Sequence, residues 1–160
     1  MASALKNLSD YEYEQKVDIS EKKFALVVSD YYTDITEALF EGAKETLIKE
    51  GAKPENIFKT YVPGTFELSL GTQLVAQKED IDAIIGIGCV IRGETAHFDF
   101  ICHAVAQGFT NVGLKYNKPV IFGVLTPDNM SQAKARAGGQ HGNKGIEAAV
   151  AALKMLTYYV

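Results

Sequence analysis

The sequence predicts an α/β fold, a three-layer α/β/α sandwich built on a four-stranded parallel sheet. Short apolar segments alternate with longer segments of helical periodicity along most of the 160 residues. One of them, IDAIIGIGCVI (residues 81–91), is too continuously apolar to have one face in water. Repeated strand–helix–strand units with such strands form a parallel sheet that helices cover on both faces. The connections are short and no low-complexity linker interrupts them, so we expect one globular domain.

The first half of the chain predicts two strand–helix pairs. Residues 23–29 (KFALVVS) form a short apolar strand rich in β-branched side chains, and residues 33–51 form the helix after it. The apolar face of that helix consists of Ile35, Leu39, Ala43 and Leu47. Gly51 stands where the helix would end. Residues 56–64 (NIFKTYVPG) are a second strand closed by a Pro-Gly pair, and residues 65–77 (TFELSLGTQLVAQ) are the second helix.

The second half repeats the pattern and ends in two helices. Residues 81–91 are the third strand, and a helix over residues 97–116 (HFDFICHAVAQGFTNVGLKY) follows it. Residues 118–126 (KPVIFGVLT) are the fourth strand. Residues 128–138 and 143–156 are the last two helices, with a glycine-rich stretch between them.

An amino-terminal arm, residues 1–20, precedes the domain of residues 21–160. The arm shows no helical periodicity. Within it, YEYEQKV (residues 11–17) alternates weakly and could add an edge strand to the sheet of this chain or of a neighbour. A disordered arm is the alternative, and the residues leave both open.

Composition and charge exclude several classes of protein. Hydrophobic residues make up 47% and charged residues 22% of the chain, as is usual for a globular domain, and the net charge of −4 provides no electrostatic footprint for nucleic acid. No apolar run is long enough to span a membrane, and the first residues lack the layout of a signal peptide. We therefore expect a cytoplasmic protein without a nucleic-acid or membrane partner.

The two cysteines, Cys89 and Cys102, lie in apolar segments and are interpreted as reduced core residues. Neither is at a helix start, where a thiolate would be favoured, so a Cys-His hydrolase is not expected. No set of potential ligands has the spacing of a metal site.

The connections after the four predicted strands are the candidate site, because ligands of open parallel sheets bind at the carboxyl ends of the strands. These connections read DYYTD (residues 30–34), PGTFE (63–67), RGETAHF (92–98) and TPDN (126–129). Together they offer aromatic faces, carboxylates, backbone amides near glycines and one imidazole. This set suits a small polar molecule that carries a flat ring.

His97 is the candidate catalytic residue, in the first turn of the helix after the third strand. A helix amino terminus carries partial positive charge, which disfavours imidazolium there and leaves a ring that can accept or relay a proton. A surface histidine without a role is the alternative. Glu94 and Thr95, in the same turn, expose backbone amides that could hold an anion.

The glycine-rich stretch KARAGGQHGNKG (residues 134–145) is a second candidate. Arg136, His141 and Lys144, among four glycines, could form a flexible basic loop for phosphate. It is not a Walker A loop, since Lys144 is followed by glycine and no strand directly precedes the stretch. A hinge between two helices, with solvated basic residues, is the alternative.

Four segments in this order carry a resemblance to a known family: VPGTFEL, GCVIRGETAHFDFICHAVAQG, PVIFGVLTPDN and RAGGQHGNKGIEAAVAALKM. Through them, residues 22–156 resemble the 6,7-dimethyl-8-ribityllumazine synthases of riboflavin biosynthesis. The resemblance implies a flavodoxin-like fold and the condensation of 5-amino-6-(D-ribitylamino)uracil with 3,4-dihydroxy-2-butanone 4-phosphate. It implies no metal, nucleotide or flavin cofactor. A lumazine- or flavin-binding shell protein without catalysis is the alternative.

The resemblance also implies a role for individual residues. His97 is the acid/base that moves protons at the butanone carbons. Arg136 binds the phosphate, helped by the turn of Glu94 and Thr95. The residues implied in binding the pyrimidine and its ribityl chain are Tyr31, Thr65, Phe66, Glu67, Cys89, Val90, Ile91, Phe122 and Lys144. Where the family commonly has arginine, an aromatic residue and asparagine after the first strand, this chain has Asp30, Tyr31 and Tyr32.

Assembly is the last implication. Family members form pentamers whose active sites straddle subunit interfaces, so Arg136 and Phe122 are expected to come from the neighbouring subunit. In some members twelve pentamers close into an icosahedral shell, and the compact RAGGQHGNKG loop is of a length that permits it. We therefore expect a sixty-subunit shell, with the pentamer as the alternative and riboflavin synthase as a candidate partner protein.

Overall fold

The computed structural model describes residues 7–14 and 17–159. Its centre is a parallel sheet of four strands, β1 (Phe24–Ser29), β2 (Ile57–Val62), β3 (Ala83–Cys89) and β4 (Val120–Leu125). The strands lie in the order β2-β1-β3-β4, and each neighbouring pair is parallel. The predicted four-stranded parallel sheet is confirmed.

Every residue of β1 and β3, the two inner strands, is buried, which explains why their sequences have no polar face. Phe24, Leu26 and Val28 of β1 belong to the core on one side of the sheet. Ala25 and Val27 belong to the core on the other side, as the two-residue period of a strand requires. On β2, an edge strand, no residue is fully buried.

Helices cover both faces and complete the predicted three layers. Within the described residues the α-helices are α1 (Thr33–Lys49), α2 (Leu68–Ala76), α3 (His97–Tyr116), α4 (Met130–Arg136) and α5 (Lys144–Leu156). α1 and α5 pack together over one face of the sheet, and α2 and α3 pack together over the other. A short 3₁₀ segment (Pro54–Asn56) precedes β2, and another (Thr157–Tyr159) follows α5.

Two glycines of β3 let helices approach the sheet closely. A Cβ on Gly86 would lie 2.1 Å from the ring of Phe109, which α3 places over the strand. A Cβ on Gly88 would lie 2.8 Å from the Thr65 hydroxyl and 2.9 Å from Leu68. All three distances are below ordinary van der Waals contact, so larger residues would push α3 and the start of α2 away from β3.

The glycine-rich stretch differs from its prediction. α4 ends at Arg136, and residues 137–143 form a small antiparallel ladder of β5 (Ala137–Gly139) with β6 (Gly142–Asn143). Gly138 (φ 108°) and Gly142 (φ 79°) have left-handed backbone conformations that glycine adopts without strain. The predicted helix over residues 128–138 is therefore two residues too long at each end, and a short ladder follows it.

The arm forms no strand within the described residues 7–14 and 17–20. It packs instead against α1, where the Tyr11 hydroxyl donates to Glu50 Oε1 at 2.9 Å, and Tyr13 and Ile19 are buried. The predicted edge strand on this chain is wrong for the described part of YEYEQKV, and residues 15 and 16 of it lie outside the described residues. A strand added to a neighbour stays a prediction.

Among the described residues, no helix combines the length and the hydropathy that crossing a membrane requires.

Candidate active site

A cleft of about 850 Å³ opens at the carboxyl ends of β1, β2 and β3. β2 lies on one side of β1 and β3 lies on the other, so the strand order changes direction at β1. The cleft spans this point. Such a switch point separates the connections of neighbouring strands and leaves a crevice between them. The cleft is lined by Tyr31, Tyr32, Gly64, Thr65, Phe66, Glu67, Cys89, Val90, Ile91, His97, Phe100, Ile101 and Ala104.

Eight of the predicted site residues meet in this cleft. They come from the connections after β1 and β2, from the end of β3 and from the start of α3: Tyr31, Thr65, Phe66, Glu67, Cys89, Val90, Ile91 and His97. The other five, which do not line the cleft of the single chain, are Glu94, Thr95, Phe122, Arg136 and Lys144.

His97 is the first residue of α3, and its side chain is exposed to the cleft. Its backbone amide donates to the Thr95 hydroxyl at 3.4 Å. The preceding residue, Ala96, offers no side-chain cap to the helix. The imidazole therefore lies at the end of α3 that carries partial positive charge.

Two tyrosines form one wall of the cleft. The rings of Tyr31 and Tyr32 meet edge to face, with centroids 4.8 Å apart and an interplanar angle of 78°. Tyr31 is 60% exposed, so its ring is accessible to a ligand. Tyr32 has a left-handed backbone (φ 59°, ψ 53°) just before α1, a conformation that is uncommon for a bulky residue and costs about 1–3 kcal/mol. Both residues line the cleft.

Thr65 joins the connection after β2 to the end of β3. Its side chain is buried, and its hydroxyl donates to the Cys89 carbonyl at 3.2 Å. Phe66 and Glu67, the next two residues, are exposed at the cleft. The buried threonine thus fixes the backbone from which an aromatic ring and a carboxylate project into the site.

Neither thiol has the properties of a nucleophile. Burial raises the pKa of the Cys89 thiol to about 12. Burial, and then the nearby Asp99 carboxylate, raises the pKa of the Cys102 thiol. Both side chains stay protonated near neutral pH, and this supports their interpretation as unreactive residues. Cys89 is buried as predicted, whereas Cys102 is only half-buried.

The remaining predicted residues lie outside the cleft. Arg136 ends α4, and its guanidinium donates to the Gln132 carbonyl at 3.2 Å. Lys144, at the start of α5, forms a salt bridge with Glu147 at 2.7 Å. The half-buried ring of Phe122 packs edge to face on the ring of Phe109, with the two centroids 5.6 Å apart. Glu94 and Thr95 are exposed in the turn between β3 and α3. The end of β3 and the start of α3 contribute to the cleft, but these two residues do not.

Five lining residues were missed from the sequence: Tyr32, Gly64, Phe100, Ile101 and Ala104. The last three follow His97 at i+3, i+4 and i+7, so one face of the predicted helix already contained them. Phe100 is 72% exposed, which no helix periodicity indicates. Within the part of the chain that the structure describes, no three His, Cys, Asp or Glu side chains come together as a metal site.

Comparison with known proteins places the chain in a family. The family model described as 6,7-dimethyl-8-ribityllumazine synthase matches residues 21–159. Proteins of that name from Cytophaga hutchinsonii and Parabacteroides distasonis are 60% and 50% identical to this chain. The first alignment covers 98% of both chains, and the second covers 99% of both. With the family model matching nearly the whole domain, this chain belongs to the 6,7-dimethyl-8-ribityllumazine synthase family.

Proposed function

We propose that the cleft condenses 5-amino-6-(D-ribitylamino)uracil with 3,4-dihydroxy-2-butanone 4-phosphate, giving 6,7-dimethyl-8-ribityllumazine, phosphate and water. One observation carries the proposal: a histidine at a helix start shares a cleft with an accessible tyrosine ring and the ends of three parallel strands. The family assignment supports the same transferase activity. The cytoplasm remains the predicted compartment.

The reaction needs proton transfers more than it needs a strong nucleophile. The pyrimidine amine forms an imine with the butanone carbonyl and releases water, and phosphate is then eliminated to leave an enol. The enol tautomerises to a ketone, and the ribitylamino nitrogen attacks it to close the ring and release a second water. His97 removes and returns the protons at the butanone carbons, a task for which an imidazole is suited.

Binding is divided between the two substrates. The Tyr31 ring stacks on the pyrimidine, and the strand end of Cys89, Val90 and Ile91 meets the pyrimidine edge. Thr65, Phe66 and Glu67 hold the ribityl chain, whose hydroxyls donate to the exposed carboxylate. The turn of Glu94 and Thr95, beside the start of α3, offers its amides to the phosphate.

A neighbouring subunit completes each site. Arg136 grips the phosphate as a bidentate donor, and Phe122 closes the pocket over the ring, both across a subunit interface. Their positions outside the cleft of their own chain are compatible with this role. Lys144 is assigned to the pyrimidine by family resemblance alone.

Tyr31→Phe is expected to leave pyrimidine binding nearly unchanged, because the ring and not the hydroxyl makes the stacking contact. Tyr31→Ala should weaken binding by about 1–3 kcal/mol, as the loss of one aromatic stacking platform does. Fluorescence titration with the ribitylated pyrimidine measures both. Equal losses in the two variants would assign the contact to the hydroxyl and contradict the stacking role.

The assembled protein is expected to be a sixty-subunit shell of pentamers. Large apolar side chains on α2 and α3 remain exposed in the single chain: Leu70, Leu74, Phe100 and Leu114. Such a surface is typical of a subunit interface. Sedimentation in near-neutral buffer should give about 1,040 kDa for sixty chains of 17.4 kDa, against about 87 kDa for a pentamer. A single species at the smaller mass would rule out the shell, and an active monomer would rule out the shared site.

The activity itself is tested by mixing the two purified substrates with the protein. Lumazine fluorescence and inorganic phosphate should rise together in equal amounts, well above the uncatalysed condensation. Tight binding of lumazine or flavin with no product above that background would instead favour the non-catalytic shell protein.

A further inference from the structure

We propose that Asn7, Leu8 and Ser9, here named the arm clip, are positioning residues that hold the β5–β6 ladder and through it Arg136. The inference rests on the proposed function, in which Arg136 binds the phosphate of one substrate. It assigns the amino-terminal arm a part in substrate affinity, although none of the described arm residues lines the cleft.

Two main-chain hydrogen bonds connect the clip to the end of α4 through a single residue. The Leu8 amide donates to the His141 carbonyl at 2.8 Å. The His141 amide in turn donates to the Ala135 carbonyl, also at 2.8 Å. Ala135 directly precedes Arg136, so the position of the clip is transmitted to the backbone that bears the guanidinium.

A second connection holds the other side of the ladder. The Asn143 amide donates to the Ser9 hydroxyl at 3.0 Å, and the Asn143 side chain donates to the Ala38 carbonyl of α1 at 2.9 Å. The same side chain accepts from the Gly145 amide at 2.8 Å, which caps the start of α5. The ladder is therefore held between the clip and α1.

The ladder has few side chains with which to hold itself. Gly138, Gly139 and Gly142 make up most of its two strands, and glycine loses more conformational freedom on ordering than any other residue. Backbone hydrogen bonds from outside must therefore restrict this segment. The clip supplies two such bonds, from the Leu8 amide to the His141 carbonyl and from the Asn143 amide to the Ser9 hydroxyl.

The fit of the clip against Gly142 leaves no room for a side chain. A Cβ at this position would lie 2.0 Å from the Asn7 side-chain oxygen and 2.6 Å from the Ser9 nitrogen. Gly142 also has a left-handed backbone (φ 79°), so a side chain there would be strained as well as crowded. Close backbone approach of this kind is a common reason for a glycine in a strand.

The arm is anchored beyond the clip, so the clip is not a free terminus. Tyr11 donates its hydroxyl to Glu50, and the Lys49 ammonium lies 5.1 Å from the centroid of the Tyr11 ring. Tyr13 is buried in the core beside α1. These contacts fix the register in which Leu8 and Ser9 meet the ladder.

The test uses full-length Leu8→Pro, which removes the amide donor to His141, and Ser9→Ala, which removes the acceptor for Asn143. The KM for the butanone phosphate should rise about three- to tenfold in each, as expected for one lost hydrogen bond. The kcat and the KM for the pyrimidine should stay within about twofold of the unmodified protein. Ser9→Thr keeps the hydroxyl and should restore the KM. Glu12→Gln, at an exposed residue of the arm, is the control.

Hydrogen exchange provides a readout that needs no substrate. Peptides that cover residues 137–145 should exchange at least about threefold faster in the clip variants, while peptides of β3 stay protected. In an Arg136→Ala background the clip variants should add nothing to the KM. Unchanged exchange would overturn the inference, as would a parallel rise of both KM values.

The clip and the proposed function can fail separately. If Arg136→Ala alone left the KM for the butanone phosphate unchanged, Arg136 would not bind the phosphate. The proposed effect of the clip on substrate affinity would then be wrong as well. If Arg136→Ala raised that KM and the clip variants did not, the proposed function would stand and only the clip would be rejected.

Discussion

His97→Ala should lower kcat by about 10²- to 10⁴-fold while the affinity for the ribitylated pyrimidine stays nearly unchanged. The imidazole lies at the start of α3 in the cleft and is the only imidazole among the lining residues. Its removal takes away proton transfer and leaves the stacking wall of Tyr31 in place. Steady-state kinetics against the uncatalysed condensation, together with pyrimidine titration, measures the two effects separately.

His103→Ala is the matched control for this prediction. His103 is exposed on the same helix, six residues further along, and does not line the cleft. Its replacement should leave kcat within about twofold. A loss below about threefold in His97→Ala would remove His97 from the mechanism.

Arg136→Ala should raise the KM for the butanone phosphate by about 10- to 100-fold, because charge-assisted hydrogen bonds to a phosphate contribute about 1.5–3 kcal/mol. Arg136→Lys should recover only part of this affinity, since an ammonium lacks the planar fork. The KM for the pyrimidine should change little. Initial rates with each substrate varied in turn distinguish the two.

Lys134→Ala serves as the control for Arg136, because it removes an exposed positive charge from the same short helix. It should leave both KM values nearly unchanged. A fall in pyrimidine affinity in Arg136→Ala, with the affinity for the phosphate substrate intact, would show that the assignment is wrong.

The sheet could be predicted because both faces of its inner strands pack against the hydrophobic core. Residues of β1 and β3 are buried everywhere, so their apolar runs indicate parallel strands under two helical layers. The periodicity of α1, with Ile35, Leu39, Ala43 and Leu47 buried, reports its single apolar face in the same way.

The small ladder after α4 could not be predicted, because glycines have no side chains that carry a period. Gly138 and Gly142 use left-handed backbone that suits a turn as well as a ladder. The ordering of this segment comes instead from hydrogen bonds with Leu8 and Ser9, more than 130 residues away in the sequence. Contacts of that kind are invisible to local patterns.

The site was partly predictable for a related reason. Residues that follow strands were found from the geometry of parallel sheets, and His97 among them. Tyr32 lies in one of these connections but was assigned no role, and its left-handed backbone is one that tyrosine rarely adopts and that no pattern indicates. Residues supplied by a neighbouring subunit, as proposed for Arg136, do not line the cleft of their own chain.

Mixing two impaired variants, assayed at a butanone phosphate concentration far below the KM of the unmodified protein, tests most directly whether His97 of one subunit and Arg136 of the next form one site. Co-expressed in equal amounts and randomly assembled, His97→Ala and Arg136→Ala subunits form an intact site whenever each supplies the residue that the other lacks. About a quarter of the sites meet this condition in a closed ring. The account predicts that lumazine formation at this low substrate concentration returns to about a quarter of the unmodified rate, whereas mixed assemblies no more active than Arg136→Ala alone would contradict it.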